Sequence, residues 1–196
     1  MATLKQTPSQ TVGPYFAYAL TPQSYGRVGL GSSTMVDGAT LGERIRIEGR
    51  VFDGTGAPVI DAVIELWQAN AAGRYRHPAD TRNDRELDPH FTGFGRTGTD
   101  GQGAYWFDTV KPGALGDGQA PHINVTVLAR GMLSHAFTRI YFGDEAAANA
   151  EDAALQGVPA DRRGTVIAER VQTPAGTVYR FDIHLQGDQE TVFFDA

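Results

Sequence analysis

The sequence predicts an all-β fold, a two-sheet β-sandwich with long loops and short helical segments. Three observations carry that expectation. The chain holds 24 Gly and 10 Pro, so turns and breaks recur along its whole length. Its apolar runs are short and alternate with period two, the spacing that puts successive side chains on opposite faces of a strand. Its 196 residues fit one domain with a sizeable core, and no repeat, linker or low-complexity tract divides them.

The elements follow in order. Residues 4–18 contain Pro8, Gly13 and Pro14, which forbid a regular helix or central strand. They read as an arm (residues 1–20) packed over the domain or onto a partner, or as a rigid loop whose Tyr15 lines a pocket. Residues 21–42, rich in Gly, Ser and Thr, read as a surface loop. Residues 45–53 alternate as a strand, and Asp53-Gly54 begins a turn. Residues 63–68 form a second strand with Val63, Glu65 and Trp67 on one face, and the turn at 70–73 delivers Arg74, Tyr75, Arg76 and His77. Residues 80–92 are polar and unpatterned, a long loop of the kind that carries function. A short strand and tight turn occupy 93–101. A further strand at 104–110 is stopped by Lys111-Pro112-Gly113.

Residues 120–130 carry the clearest alternation. Ile123, Val125, Val127 and Ala129 share the parity of a core face. His122, Asn124, Thr126 and Arg130 share the other, interrupted by Leu128. A strand at 137–142 follows, and Asp144 is placed to cap a short helix through the alanines after it. Residues 166–172 and 177–185 read as a closing hairpin, with Tyr179, Phe181, Ile183 and Leu185 facing one way and Arg180, Asp182 and His184 the other. The apolar tail at 191–194 docks as an edge strand or against another subunit.

Composition excludes several functions. A formal charge of -6 without a basic cluster argues against nucleic acid. No apolar run approaches a membrane span, and the N-terminus lacks an apolar signal core, which points to a cytoplasmic protein. With no cysteine there are no disulfides, iron–sulfur clusters or thiolate sites, so any metal would need Tyr, His, Asp or Glu. There is no H-E-x-x-H, no G-x-S-x-G, and no strand–G-x-G-x-x-G–helix context. Of the five histidines, His77, His90 and His135 fall in loops or at loop edges, and His184 lies on a polar strand face. His122 is the one on a well-formed strand beside other polar groups. A His-x-His there would begin a metal site, but its second position is Asn124, a poor iron ligand. Arg130 could aim its planar fork at an anionic or aromatic ligand, or pair with a carboxylate on a neighbouring strand. Periodicity alone yields a β-sandwich with one polar strand face and no complete catalytic set.

Several segments, in order, resemble the intradiol ring-cleavage dioxygenases. They are Thr11-Val12-Gly13-Pro14-Tyr15, Glu65-Leu66-Trp67-Gln68-Ala69-Asn70 with Gly73-Arg74-Tyr75, and Thr99-Asp100 through Gly103-Ala104-Tyr105. Lys111-Pro112-Gly113 and Ala120-Pro121-His122-Ile123-Asn124 continue the match. The set is highly specific, and the similarity runs from Thr7 to the end. Such enzymes hold non-haem ferric iron with two tyrosines and two histidines, and cleave catechols with dioxygen. The resemblance places Tyr75 and His122 at two ligand positions, with Leu115 and Asn124 replacing the other two. It therefore implies that this chain alone binds no catalytic iron, and that Tyr75 and His122 persist as relics hydrogen-bonded to each other.

The pattern is similar to the iron-free chain of a family member built from two homologous subunits, down to the ending Glu190-Thr191-Val192-Phe193-Phe194-Asp195. The resemblance then implies a homologous beta partner carrying the Fe(III), in a higher hetero-oligomer. Thr11, Gly13, Pro14 and Tyr15 of the arm would face the partner's active site, and Arg130 would contact substrate or its carboxylate. Two rival readings are a self-sufficient iron dioxygenase using Tyr75, His122 and further ligands, and a sandwich binding module without catalytic role. Iron content of the isolated chain separates the first. Turnover after Arg130→Ala in the assembled complex separates the second.

Overall fold

Strands form where alternation predicts them because each can bury one parity of side chains on a shared core. The computed structural model describes residues 16–195, so Thr11, Gly13, Pro14 and Tyr15 lie outside the described residues. Among the described residues there are nine strands: β1 (Arg44–Phe52), β2 (Val63–Trp67), β3 (Phe94–Gly98), β4 (Ala104–Val110), β5 (His122–Leu128), β6 (Ala136–Phe142), β7 (Ile167–Thr173), β8 (Gly176–Arg180) and β9 (Ile183–His184). Three short helices accompany them: α1 (Phe16–Leu20), α2 (Ala146–Glu151) and α3 (Ala153–Gly157). The all-β expectation with short helices therefore holds.

The two sheets of the expected sandwich are hydrogen-bonded into one mixed sheet, ordered β3-β2-β5-β6-β7-β8-β1-β4, with β9 also on β1. β7 makes the join. Its Ile167 and Ala168 pair in parallel with Tyr141 and Phe142 of β6, and residues from Glu169 onward pair antiparallel with β8. The halves share one core. Ile64, Leu66, Ile123, Val125, Val127 and Ile140 come from one, and Ile45, Ile47, Val51, Phe107 and Tyr179 from the other. Each aliphatic side chain so buried contributes about 1.5–3 kcal/mol. At the opposite edge β3 comes against β4 through Gly95, where a Cβ would stand 3.0 Å from the Phe107 ring and 2.7 Å from Met35 Sδ. Only glycine permits that closeness.

The second arm of the closing hairpin divides into β8 and β9. Between them the Phe181 amide donates to the Glu48 carbonyl at 2.9 Å, and the Asp182 carboxylate accepts from the Arg50 amide at 2.8 Å. A side chain thus replaces a ladder carbonyl, and the inward and outward parity survives: Phe181 and Ile183 are buried, Arg180 and Asp182 exposed. The expected Asp144 cap is not formed. Its carboxylate takes the Lys111 ammonium at 2.9 Å and the Tyr179 hydroxyl at 2.9 Å, so a tertiary demand overrides the local one. Asp152 caps instead, accepting from the Leu155 amide of α3 at 2.9 Å.

The apolar tail docks on its own domain. β7 covers β6 only at Tyr141 and Phe142, leaving Phe137 to bridge Phe194, whose amide donates to it at 2.8 Å. Val192 and Phe194 pack on a second, smaller cluster around Tyr141, Leu155 and Val166. The described residues include no helix long and apolar enough to cross a membrane.

Candidate functional site

Register brings the polar face of β5 together with its neighbours. Trp67 of β2 and Arg139 of β6 flank Asn124, and Tyr141 of β6 lies opposite His122. Onto this row the turn after β2 delivers Tyr75. The Asn70 carbonyl oxygen of the side chain accepts from the amides of Ala72 at 3.0 Å and Arg74 at 2.9 Å, an Asx turn that fixes the reversal. Gly73 has φ +78°, and a Cβ there would stand 2.2 Å from the Ala114 carbonyl. Asp80 accepts from the Tyr75 amide at 2.8 Å and the Arg82 Nε at 2.8 Å, and Arg82 in turn donates to the Leu115 carbonyl at 2.5 Å. The Tyr75 ring stacks on Trp67 with centroids 5.6 Å apart. A cavity of about 420 Å³ opens beside it, lined by Trp67, Tyr75, His77, Asp80, Thr81 and Arg82.

The two relic residues do not bond to each other, contrary to expectation. The Tyr75 hydroxyl accepts from Asn124 Nδ2 at 3.0 Å. His122 Nδ1 lies 2.9 Å from the Ala120 carbonyl, which makes that nitrogen the protonated one. Asn124, two residues after His122 on the same face of β5, takes the phenol instead. Burial raises the Tyr75 hydroxyl above its ordinary value, so it stays protonated near neutrality. His122 is 2 % exposed, and burial together with the Arg139 charge pulls it down to about 4, so its ring is neutral.

Arg139 is the site residue that the sequence reading missed. It lies half-buried on β6, its Nη1 donating to the Tyr141 hydroxyl at 3.3 Å and its guanidinium 5.8 Å from the Phe194 ring. The signal was a lone arginine inside the otherwise apolar Phe137-Thr138-Arg139-Ile140-Tyr141-Phe142. Without the register nothing aimed it at Asn124.

Arg130 lies elsewhere. It follows the far end of β5, roughly 20 Å along the strand from His122. Its side chain is 72 % exposed and pairs with Asp61, just before β2. Leu115 is 6 % exposed. Of the remaining histidines, His77 lines the cavity beside Tyr75 and lies edge-on to Trp67, whereas His90 contacts Asp37 at 3.1 Å, His184 stacks on Phe52 and His135 meets Phe137, away from this face.

The donor set does not fit a ferric ion. Such an ion needs several anionic or imidazole donors, and this face offers a protonated phenol engaged by an amide, one neutral imidazole and a fixed cation. Among the described residues no three of His, Asp or Glu stand together as a metal site.

A family profile described as "Dioxygenase" matches residues 12–187. The chain belongs to the intradiol dioxygenase family. Intradiol dioxygenases depend on non-haem iron. A protocatechuate 3,4-dioxygenase alpha chain of Burkholderia cepacia is 54 % identical over 201 residues, covering 100 % of each chain. The beta chain of that enzyme from the same organism is 39 % identical over 173 residues, covering 83 % of this chain and 72 % of its own. A dioxygenase domain from Streptomyces sp. SirexAA-E shares the fold of this intradiol dioxygenase chain, with a TM-score of 0.62 at 24 % identity over 93 % of this chain and 99 % of that one.

Proposed function

We propose that this chain is the alpha subunit of a protocatechuate 3,4-dioxygenase, which opens 3,4-dihydroxybenzoate with O2 to 3-carboxy-cis,cis-muconate in the beta-ketoadipate pathway of aromatic catabolism. The observation that carries the reading is full-length identity of 54 % to an alpha chain, against 39 % over part of the length to the homologous beta chain. Leu115 and Asn124 support it, since they stand where ligands would be needed for this chain to hold iron itself. The Fe(III) then belongs to the beta partner, and ring cleavage is the partner's chemistry.

In this reading residues 1–196 act as one domain with 1–20 as the arm. Thr11, Gly13, Pro14 and Tyr15 wall the partner's substrate slot and exclude water from it. Arg130 meets the substrate carboxylate, a charge-assisted contact that orients the ring. An exposed ion pair such as Arg130–Asp61 is worth only about 0–1 kcal/mol, so the guanidinium can exchange partners at little cost. Val28 and Leu30, 98 % and 94 % exposed, are apolar surface suited to burial against a partner subunit.

Iron content and protocatechuate-dependent oxygen uptake test the reading, on the chain alone and co-expressed with a beta chain. The expected outcome is neither iron nor uptake alone, and both in the complex. About one iron per chain with turnover in the isolated protein would establish a self-sufficient dioxygenase instead.

A further inference from the structure

Loss of two ligands explains why the relic face would hold metal poorly, yet the structure adds a positive charge to it. Arg139 stands in register with Asn124, one strand from the residue that binds the Tyr75 hydroxyl. Tyr141, to which Arg139 donates, lies opposite His122 with ring centroids 5.7 Å apart. The guanidinium is thus one residue removed from each of Tyr75 and His122, through Asn124 on one side and Tyr141 on the other. Among the described residues no carboxylate pairs with it. Asp152, which shares the Tyr141 hydroxyl with it, is engaged by neutral donors: the Ala120 amide at 2.9 Å, the Leu155 amide at 2.9 Å and the Tyr141 hydroxyl at 3.1 Å. A guanidinium cannot shed its proton, so the charge is permanent.

We propose that Arg139 is a built-in cation that excludes a metal ion from the position between Tyr75 and His122, so that restoring the two missing ligands would not by itself restore iron binding. A ferric ion placed there meets like charge in a largely desolvated setting, where repulsion is screened far less than in water. Arg139 donates to Tyr141 two residues further along β6, and the Tyr141 hydroxyl in turn reaches Asp152 at the start of α3. The ligand losses and the arginine therefore act as one unit. The inference deepens the assignment of iron to the partner chain and rests on it.

The test measures iron per alpha chain, and visible tyrosinate-to-iron absorption, in the complex co-expressed with a beta chain. Wild type, Leu115→Tyr/Asn124→His, and the same pair with Arg139→Gln, Arg139→Met or Arg139→Lys are compared, with assembly checked by gel filtration. The double variant and the lysine variant should stay at the wild-type iron content. The assembled glutamine or methionine variant should gain roughly one iron per chain and a second absorption component. A full extra iron in the double variant, with Arg139 in place, would overturn the proposal. So would no gain in assembled variants lacking the charge. Iron in the isolated wild-type chain is measured separately, and finding it there would instead sink the assignment of iron to the partner.

Discussion

At the scale of single residues, the face around Tyr75 and His122 is held by hydrogen bonds. Asn124 donates to the Tyr75 hydroxyl at 3.0 Å and reaches the Trp67 carbonyl at 3.3 Å, so one amide fastens a loop tyrosine to two strands. Asn124→Ala leaves a largely buried phenol without its donor. The expected cost is about 1–2 kcal/mol, read as a lower urea midpoint of the assembled protein. Asp80 works one step behind. Its carboxylate, 7 % exposed, is held well below the ordinary range by hydrogen bonds from Arg82, with burial opposing them and the Tyr75 amide assisting. The unfolded chain takes up that proton first, near pH ~4, so the contribution is complete above that value and lost as pH falls through the depressed folded value. Wild type is expected to lose more stability than Asp80→Asn between pH 6 and pH 3, and parallel urea midpoints for the two proteins would show the pair to be unimportant.

At the scale of elements, two aspartates that look interchangeable in the sequence have opposite duties. Asp152 is fully buried and satisfies the Ala120 amide before β5, the Leu155 amide of α3 and the Tyr141 hydroxyl. Asp144 anchors Lys111, at the end of β4, to Tyr179 of β8 and caps nothing. Asp152→Ala is expected to cost about 3 kcal/mol or more, because a cap and two further buried donors are lost together. Asp144→Ala should leave helical circular dichroism unchanged and cost less. An equal effect from the two substitutions would contradict this division.

At the scale of the whole molecule, the face around His122 and the Arg130 side chain lie at opposite ends of β5. His122 begins the strand within the relic face, and Arg130 follows its end beside Asp61. A self-contained site would need them together, whereas a subunit that contributes a wall and a charge to a partner's site does not. Arg130→Ala in the assembled enzyme is expected to lower kcat/KM roughly ten- to hundredfold, the worth of one charge-assisted hydrogen bond, with iron content unchanged. Unaltered kinetics would leave Arg130 a surface ion pair and no more.

The sequence by itself determined most strands and the core parity of β5. Those features are local, because alternation is written in consecutive residues. It did not determine that the two layers form one continuous sheet, because that depends on β7 dividing its pairing between β6 and β8. Nor could it show that Asp144 leaves its helix uncapped, that Tyr75 turns to Asn124 instead of His122, or that Arg130 meets Asp61. Arg139 is the sharpest case. Its charge was visible in β6, but its role came from the register that sets it opposite Asn124. Tertiary structure decided these points because each is a choice between partners distant in sequence, settled by which polar groups burial forces to find one another.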